Sequence, residues 1–259
     1  MKSFATSLII LCMSFTPLVA KQQRAHKVFQ VSTFSALLNG VYDGEFKVKR
    51  LREFGDFGLG IVNNLDGELI AVQGEYYHID PKGYLKPAKA RLLTPFASVC
   101  FFEPQKTFMV RNIKDINALQ ETLEDKFYNV NVPYAFRIDG TFPRIKLRSL
   151  KPQSKPFIKF AEAVKDQYVF ELENVKGSLV AFWYPMYLSG INVPILHMHF
   201  ASEDRKRGGH VLNIELNTAT VKMMELNNIE IQLPSTRSFA KADLEGDHTH
   251  TIKRVESRN

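Results

Sequence analysis

The stretch Ile195-Leu-His-Met-His-Phe200 and its partner Gly208-Gly-His-Val-Leu-Asn-Ile214 decide how this chain is read. In the first run Ile195, His197 and His199 alternate with Leu196, Met198 and Phe200. Side chains two apart share a face of a strand, so the period predicts a strand with both imidazoles on one side. Strand rise sets their Cα atoms roughly 6–7 Å apart, within reach of one ion. The second run also alternates, with His210, Leu212 and Ile214 expected on one face. Between the runs, Ala201-Ser-Glu-Asp-Arg-Lys-Arg-Gly-Gly209 is strongly polar and reads as a hairpin loop. Pairing the two strands brings His210 beside His197 and His199. Three neutral nitrogen ligands with a position left open is the plan of a catalytic metal site. A lone histidine is more simply a surface or core residue, and it is the hairpin that turns three of them into one candidate site.

The composition is that of a globular protein. Of 259 residues, 45% are hydrophobic and 24% charged, enough for one large domain or two moderate subdomains. The net charge of +7 permits an anionic partner but selects none. There is no arginine-rich arm and no nucleic-acid motif, so the basic residues read as solvated surface and nucleic acid is not expected as a partner.

Residues 1–20 differ from the rest. A short basic start, Met1-Lys-Ser3, precedes a mainly apolar run from Phe4 to Val19, and the polar Lys21-Gln-Gln-Arg24 follows. This is the layout of a secretory signal peptide cut after Ala20. The run is short for a membrane span, so export to the periplasm or medium is expected, with no stable membrane association after cleavage. Cleavage removes Cys12 and leaves Cys100 as the only thiol, in the apolar run Phe96-Ala-Ser-Val-Cys-Phe-Phe102, where a buried structural role is expected.

The remaining pattern predicts an α+β fold of mixed and antiparallel β-sheets in two packed subdomains with a few flanking helices. Residues 21–150 form the expected N-terminal β-rich subdomain, and 151–259 the C-terminal one that carries the metal site. Ser32 to Gly40 reads as a short capped helix, and residues 57–102 as an antiparallel meander punctuated by Asn64-Leu-Asp-Gly67 and Asp80-Pro-Lys-Gly83. Asn112 to Phe127 has the apolar spacing of an amphipathic helix. Strands Tyr134–Ile138 and Thr141–Leu150 are expected to turn at Asp139-Gly140. A helix from Lys155 to Val164 is expected to open on Pro156. Further strands are expected at Tyr168–Glu173, Gly177–Phe182, Leu196–Phe200, His210–Leu216, Thr218–Met223 and Ile229–Leu233. The final residues have few apolar anchors.

Two families place three histidines on strands in this manner. The run His197-Met-His199-Phe-Ala-Ser-Glu203 matches the first cupin motif, which makes Glu203 a candidate ligand and a dioxygenase or isomerase a candidate activity. The third histidine follows too soon for a cupin, however, and the second cupin motif is missing. The chain more broadly resembles the alpha-acetolactate decarboxylase family. The resemblance rests on Phe57-Gly-Leu-Gly60, Leu65-Asp-Gly-Glu-Leu-Ile70, Arg137-Ile-Asp-Gly-Thr-Phe142, Lys155-Pro156, His197-Met-His-Phe200 and Gly208-Gly-His-Val211, in that order.

That resemblance implies His197, His199 and His210 as ligands of a divalent metal, usually Zn2+. It implies Glu68, Arg148 and Glu256 as site residues, with the C-terminal tail folded back over the metal. The implied reaction converts 2-acetolactate to acetoin and carbon dioxide, and the implied assembly is a homodimer. Arg148 would hold the substrate carboxylate, and Glu68 or Glu256 would deliver a proton. By residue type alone Glu68 reads as surface, Arg148 as part of a basic face with Arg144, Lys146 and Lys151, and His248-Thr-His250 as an exposed tail. A non-catalytic exported module that binds metal or a partner is the third possibility.

Overall fold

The computed structural model describes residues 26–245. Fourteen strands and five short α-helices, with three single-turn 3-10 helices, build these residues. The strands are β1 (Lys27–Val31), β2 (Phe46–Lys47), β3 (Phe57–Ile61), β4 (Glu68–Val72), β5 (Glu75–Ile79), β6 (Leu85–Pro87), β7 (Leu93–Thr94), β8 (Phe96–Cys100), β9 (Lys106–Ile113), β10 (Tyr134–Ser149), β11 (Tyr168–Tyr184), β12 (Ile195–Ser202), β13 (Gly208–Glu225) and β14 (Asn228–Gln232). The helices are α1 (Phe34–Leu38), α2 (Val48–Leu51), α3 (Ile116–Glu124), α4 (Phe160–Ala163) and α5 (Arg237–Lys241). No described helix is long and apolar enough to cross a membrane.

Two sheets face each other. The first has the order β14-β1-β8-β3-β4-β5-β6 and the second β10-β11-β12-β13-β9. The first contains the expected antiparallel meander, and β14 returns to it as a parallel neighbour of β1. In the second, β10 pairs with β11 on one side and β13 on the other, while β12 also meets the start of β13. Four strands thus close a ring. The changeover between sheets falls between Cys100 and Lys106, whereas the sequence suggests a subdomain boundary at residue 150.

The long strands correct several shorter ones. Asp139-Gly140 makes no turn, because β10 runs through it with a ladder on each side, Gly140 facing Gly177 on β11 and Ala219 on β13. A Cβ on Gly140 would lie 2.8 Å from the Ala219 Cβ, so this glycine serves close strand approach. The Asp139 carboxylate accepts from Ser178 Oγ and Arg137 Nε and is not available to cap a turn.

The helices are shorter than the periodicity suggests. Thr33, not Ser32, caps α1 by accepting from the Ala36 amide. Asp115 caps α3 by accepting from the Ala118 amide, and Ile113 ends β9 instead of joining the helix. Pro156 lies ahead of α4: Phe157 packs on Tyr42, and the Tyr42 hydroxyl donates to the Ile158 carbonyl, so this segment is tied to the protein before the helix starts.

Alternation divides the side chains of the second sheet into two layers. Leu196, Met198 and Phe200 join Phe136, Ile138, Phe142 and the α3 residues Ile116, Leu119 and Leu123 in one core. The opposite face, with Ala135, Val180, Phe182 and Ala201, packs on Phe57, Leu59, Ile70 and Val72 of the first sheet. His197 and His199 share the parity of Ala201 and therefore enter the layer between the sheets.

Candidate metal centre and active site

The hairpin pairs as expected, with His199 directly opposite His210. On its other side His210 stands opposite Arg148 of β10. Directly opposed residues share a face, so one row across three strands carries His199, His210 and Arg148. His197 lies one pleat further along β12, opposite Phe182. The three histidines are buried, and their ligand atoms all lie within 4.8 Å of one another.

The expected grouping of His210 with Leu212 and Ile214 is corrected. The register against β10 shifts between Lys146 and Leu147, so Val211 pairs with Leu147 and Asn213 with Lys146, leaving Leu212 as a bulge. Ile214 is thereby turned into the apolar core with Val211 and Leu216, away from the histidine side. The bulge keeps both a metal-side His210 and an unbroken apolar face further along the same strand.

Glu68 arrives from the other sheet. The turn before β4 ends at Gly67, which has φ +82, and any Cβ there would lie 2.0 Å from the Ile79 carbonyl oxygen. Only glycine fits. Glu68 is then the first residue of β4, on the same side as Ile70 and Val72, and is only 4% exposed. Its Oε2 lies 3.8 Å from His199 Nε2. A solvated Glu68, the reading from residue type alone, is thus overturned. The same holds for Arg148, which is 2% exposed and donates from Nη1 to Gln167 Oε1 at 3.2 Å.

The cluster passes a chemical test for a metal ion. His199 Nδ1 is 2.9 Å from the Leu69 carbonyl oxygen. A carbonyl can only accept, so Nδ1 carries the proton and Nε2 keeps its lone pair for the cluster. His197 Nε2 and His210 Nδ1 face each other at 3.1 Å. Three buried imidazole nitrogens that converge, one with its tautomer set by a backbone carbonyl, suit a divalent cation such as zinc.

The remaining expectations sort by position. Glu203 is exposed at the β12–β13 hairpin and is not part of the histidine cluster, which corrects the cupin reading. Glu256, His248 and His250, like the signal segment 1–20, lie outside the described residues. Away from these candidates, Trp183 packs in the core, where its Nε1 donates to Glu124 and its ring meets Phe127. The Leu69 carbonyl and Gln167 were not legible beforehand, since backbone groups and a loop amide leave no pattern in a sequence.

The two facing sheets and the strand-borne histidine centre define the class: an α+β protein whose site can hold a metal ion. The sequence profile of the alpha-acetolactate decarboxylase family matches residues 28–246. An alpha-acetolactate decarboxylase of Brevibacillus brevis is 40% identical over 230 residues, covering 89% of this chain and 81% of that protein. One from Bacillus licheniformis is 39% identical, covering 84% of this chain and 86% of the other. The crystal structure of alpha-acetolactate decarboxylase from Bacillus subtilis superposes with a TM-score of 0.86 at 36% identity, covering 89% of this chain and 99% of that one. The chain belongs to the alpha-acetolactate decarboxylase family.

Proposed function

We propose that this protein converts 2-acetolactate to acetoin and carbon dioxide, and that His197, His199 and His210 hold the metal ion that the reaction uses. The observation that carries this reading is the meeting of Glu68 from one sheet with His199 from the other, beside a buried arginine in register with His210. When bound, the ion supplies Lewis-acid polarisation of the hydroxyl and ketone oxygens of the substrate. Zinc is the metal proposed, on the strength of the all-nitrogen donor set.

Arg148 has the chemistry to pair with the substrate carboxylate and orient the bond that breaks. As carbon dioxide leaves, the electron pair of that bond moves toward the neighbouring ketone and gives an enediolate. In this reading Glu68 returns a proton to the carbon that lost the carboxylate, with Glu256 as the second candidate for that role. Because acetoin is chiral, delivery from one fixed carboxyl gives one enantiomer. The buried apolar layer of Ile70, Val72, Val180 and Phe182 around the centre limits water and strengthens these charge interactions.

Export through residues 1–20 and assembly as a homodimer complete the proposal. Its test is chiral analysis of acetoin formed from racemic 2-acetolactate, together with metal content. A single enantiomer from wild type, with loss of both metal and turnover in His210→Ala, is expected. Full turnover by a metal-free His210→Ala protein would rule the assignment out.

A further inference from the structure

On the same face of the second sheet as the histidines lies a separate polar cavity of about 530 Å³. Its walls come from three places. Arg137, Asp139 and Thr141 belong to β10, Lys176 and Ser178 to β11, and Glu203 and Arg205 to the β12–β13 hairpin, with Gln73 of the β4–β5 turn at the rim. It is not the metal centre. Arg137 pairs with Val180 and Val180 with His199, so two strand spacings, roughly 10 Å, separate Arg137 on the cavity wall from His199. The buried Val180 lies between them.

Three cations and two carboxylates line this cavity, and the carboxylates are not equally available. Asp139 already accepts from Arg137 Nε at 2.9 Å and from Ser178 Oγ at 2.7 Å. The first of these bonds fixes Arg137 by its Nε, and the second holds the carboxylate that accepts it. Arg205 is fixed differently, donating from Nη1 to the Ser202 carbonyl at 3.0 Å and from Nη2 to Gln73 Oε1 at 3.2 Å, both neutral acceptors. Among the described residues Lys176 makes no ion pair. Two pre-oriented guanidinium groups from different walls, with an ammonium beside them, are a recognition set for carboxylate oxygens.

We propose that this cavity is a second binding site, for a small organic dicarboxylate, with one carboxylate at Arg137 and the other at Arg205 and Lys176. Its occupant would tie the hairpin between the strands of His199 and His210 to the end of β4, the strand that Glu68 opens. Glu203, on the same hairpin, weakens the positive field and sets a modest affinity.

The test is calorimetric titration of the metal-loaded full-length protein with succinate, and separately with sulfate, at constant ionic strength. Saturable one-to-one succinate binding is expected, weakened about 10-fold or more in Lys176→Ala/Arg205→Ala. Glu203→Gln, which removes the opposing charge, should tighten it. Neither variant should alter acetoin formation at saturating substrate. Equal binding of sulfate and succinate, untouched by the double change, would mean an adventitious ion only and overturn the proposal. Succinate binding that vanishes in Arg148→Lys but survives the double change would place it at the metal centre, again overturning it. Should either variant misfold, the other still reads the sign of the charge effect.

Discussion

Glu68 and His199 come from different sheets, yet their Oε2 and Nε2 atoms lie 3.8 Å apart in the buried layer between those sheets. The next residue, Leu69, offers its carbonyl to Nδ1 of the same imidazole at 2.9 Å. One strand end therefore supplies both a carboxylate beside the histidine centre and the hydrogen bond that sets a histidine's tautomer. Shifting β4 by one residue would undo both, because side chains would exchange faces.

Glu68→Gln preserves size and removes the transferable proton. Turnover is expected to fall by roughly 10²–10⁴, the usual weight of a positioned general acid. Metal stoichiometry should be unchanged, since the three imidazoles remain. Elemental analysis beside the acetoin assay separates these effects, and retained turnover would remove Glu68 from the role of proton donor.

Arg148→Lys keeps the charge but loses the planar fork and the bond to Gln167. A lost charge-assisted hydrogen bond is worth about 2 kcal/mol, or roughly 30-fold in kcat/KM. Steady-state kinetics should show that loss with the fold intact by circular dichroism. Unchanged kcat/KM would show that the guanidinium does not bind the substrate carboxylate.

Much of the site can be read from the sequence because period-two alternation is a local property. The pair His197 and His199 followed by the polar hairpin and His210 needs only strand geometry to converge, and it does so. The α+β composition is equally local. What could not be read is set by contacts across the chain. The bulge at Leu212 exists because β10 and β13 are matched over their whole length. Gly140 looks like a turn in isolation and is a strand residue because Gly177 and Ala219 flank it. The burial of Glu68 depends on a second sheet arriving over it.

The two sheets are also clasped at the hairpins. Leu85 N donates to the Lys206 carbonyl and Gly208 N to the Gly83 carbonyl, while the Arg207 guanidinium lies 4.7 Å from the Tyr84 ring centre and 5.0 Å from that of Phe170. Gly83 has φ +80, and a Cβ there would fall 2.1 Å from Phe170 Cζ. Gly83→Ala should therefore cost about 2–3 kcal/mol and lower Tm by roughly 5–10 °C. A thermal melt within one degree of wild type would show that the clasp yields without cost.

Cys100 is fully buried in β8, and burial, followed by the nearby Asp56 carboxylate, pushes its thiol well above the ordinary range. A thiol reagent should leave it unmodified in the native protein at pH 8 and label it rapidly in denaturant. Fast labelling of the folded protein would mean that β8 opens readily.

The most direct measurement is acetoin production from 2-acetolactate by the protein as prepared, after removal of metal by a chelator, and after return of zinc. Turnover that disappears on chelation and returns with about one zinc per chain is the result expected of the His197–His199–His210 centre. Turnover that survives verified removal of the metal, or none in the zinc-loaded protein, would contradict the account.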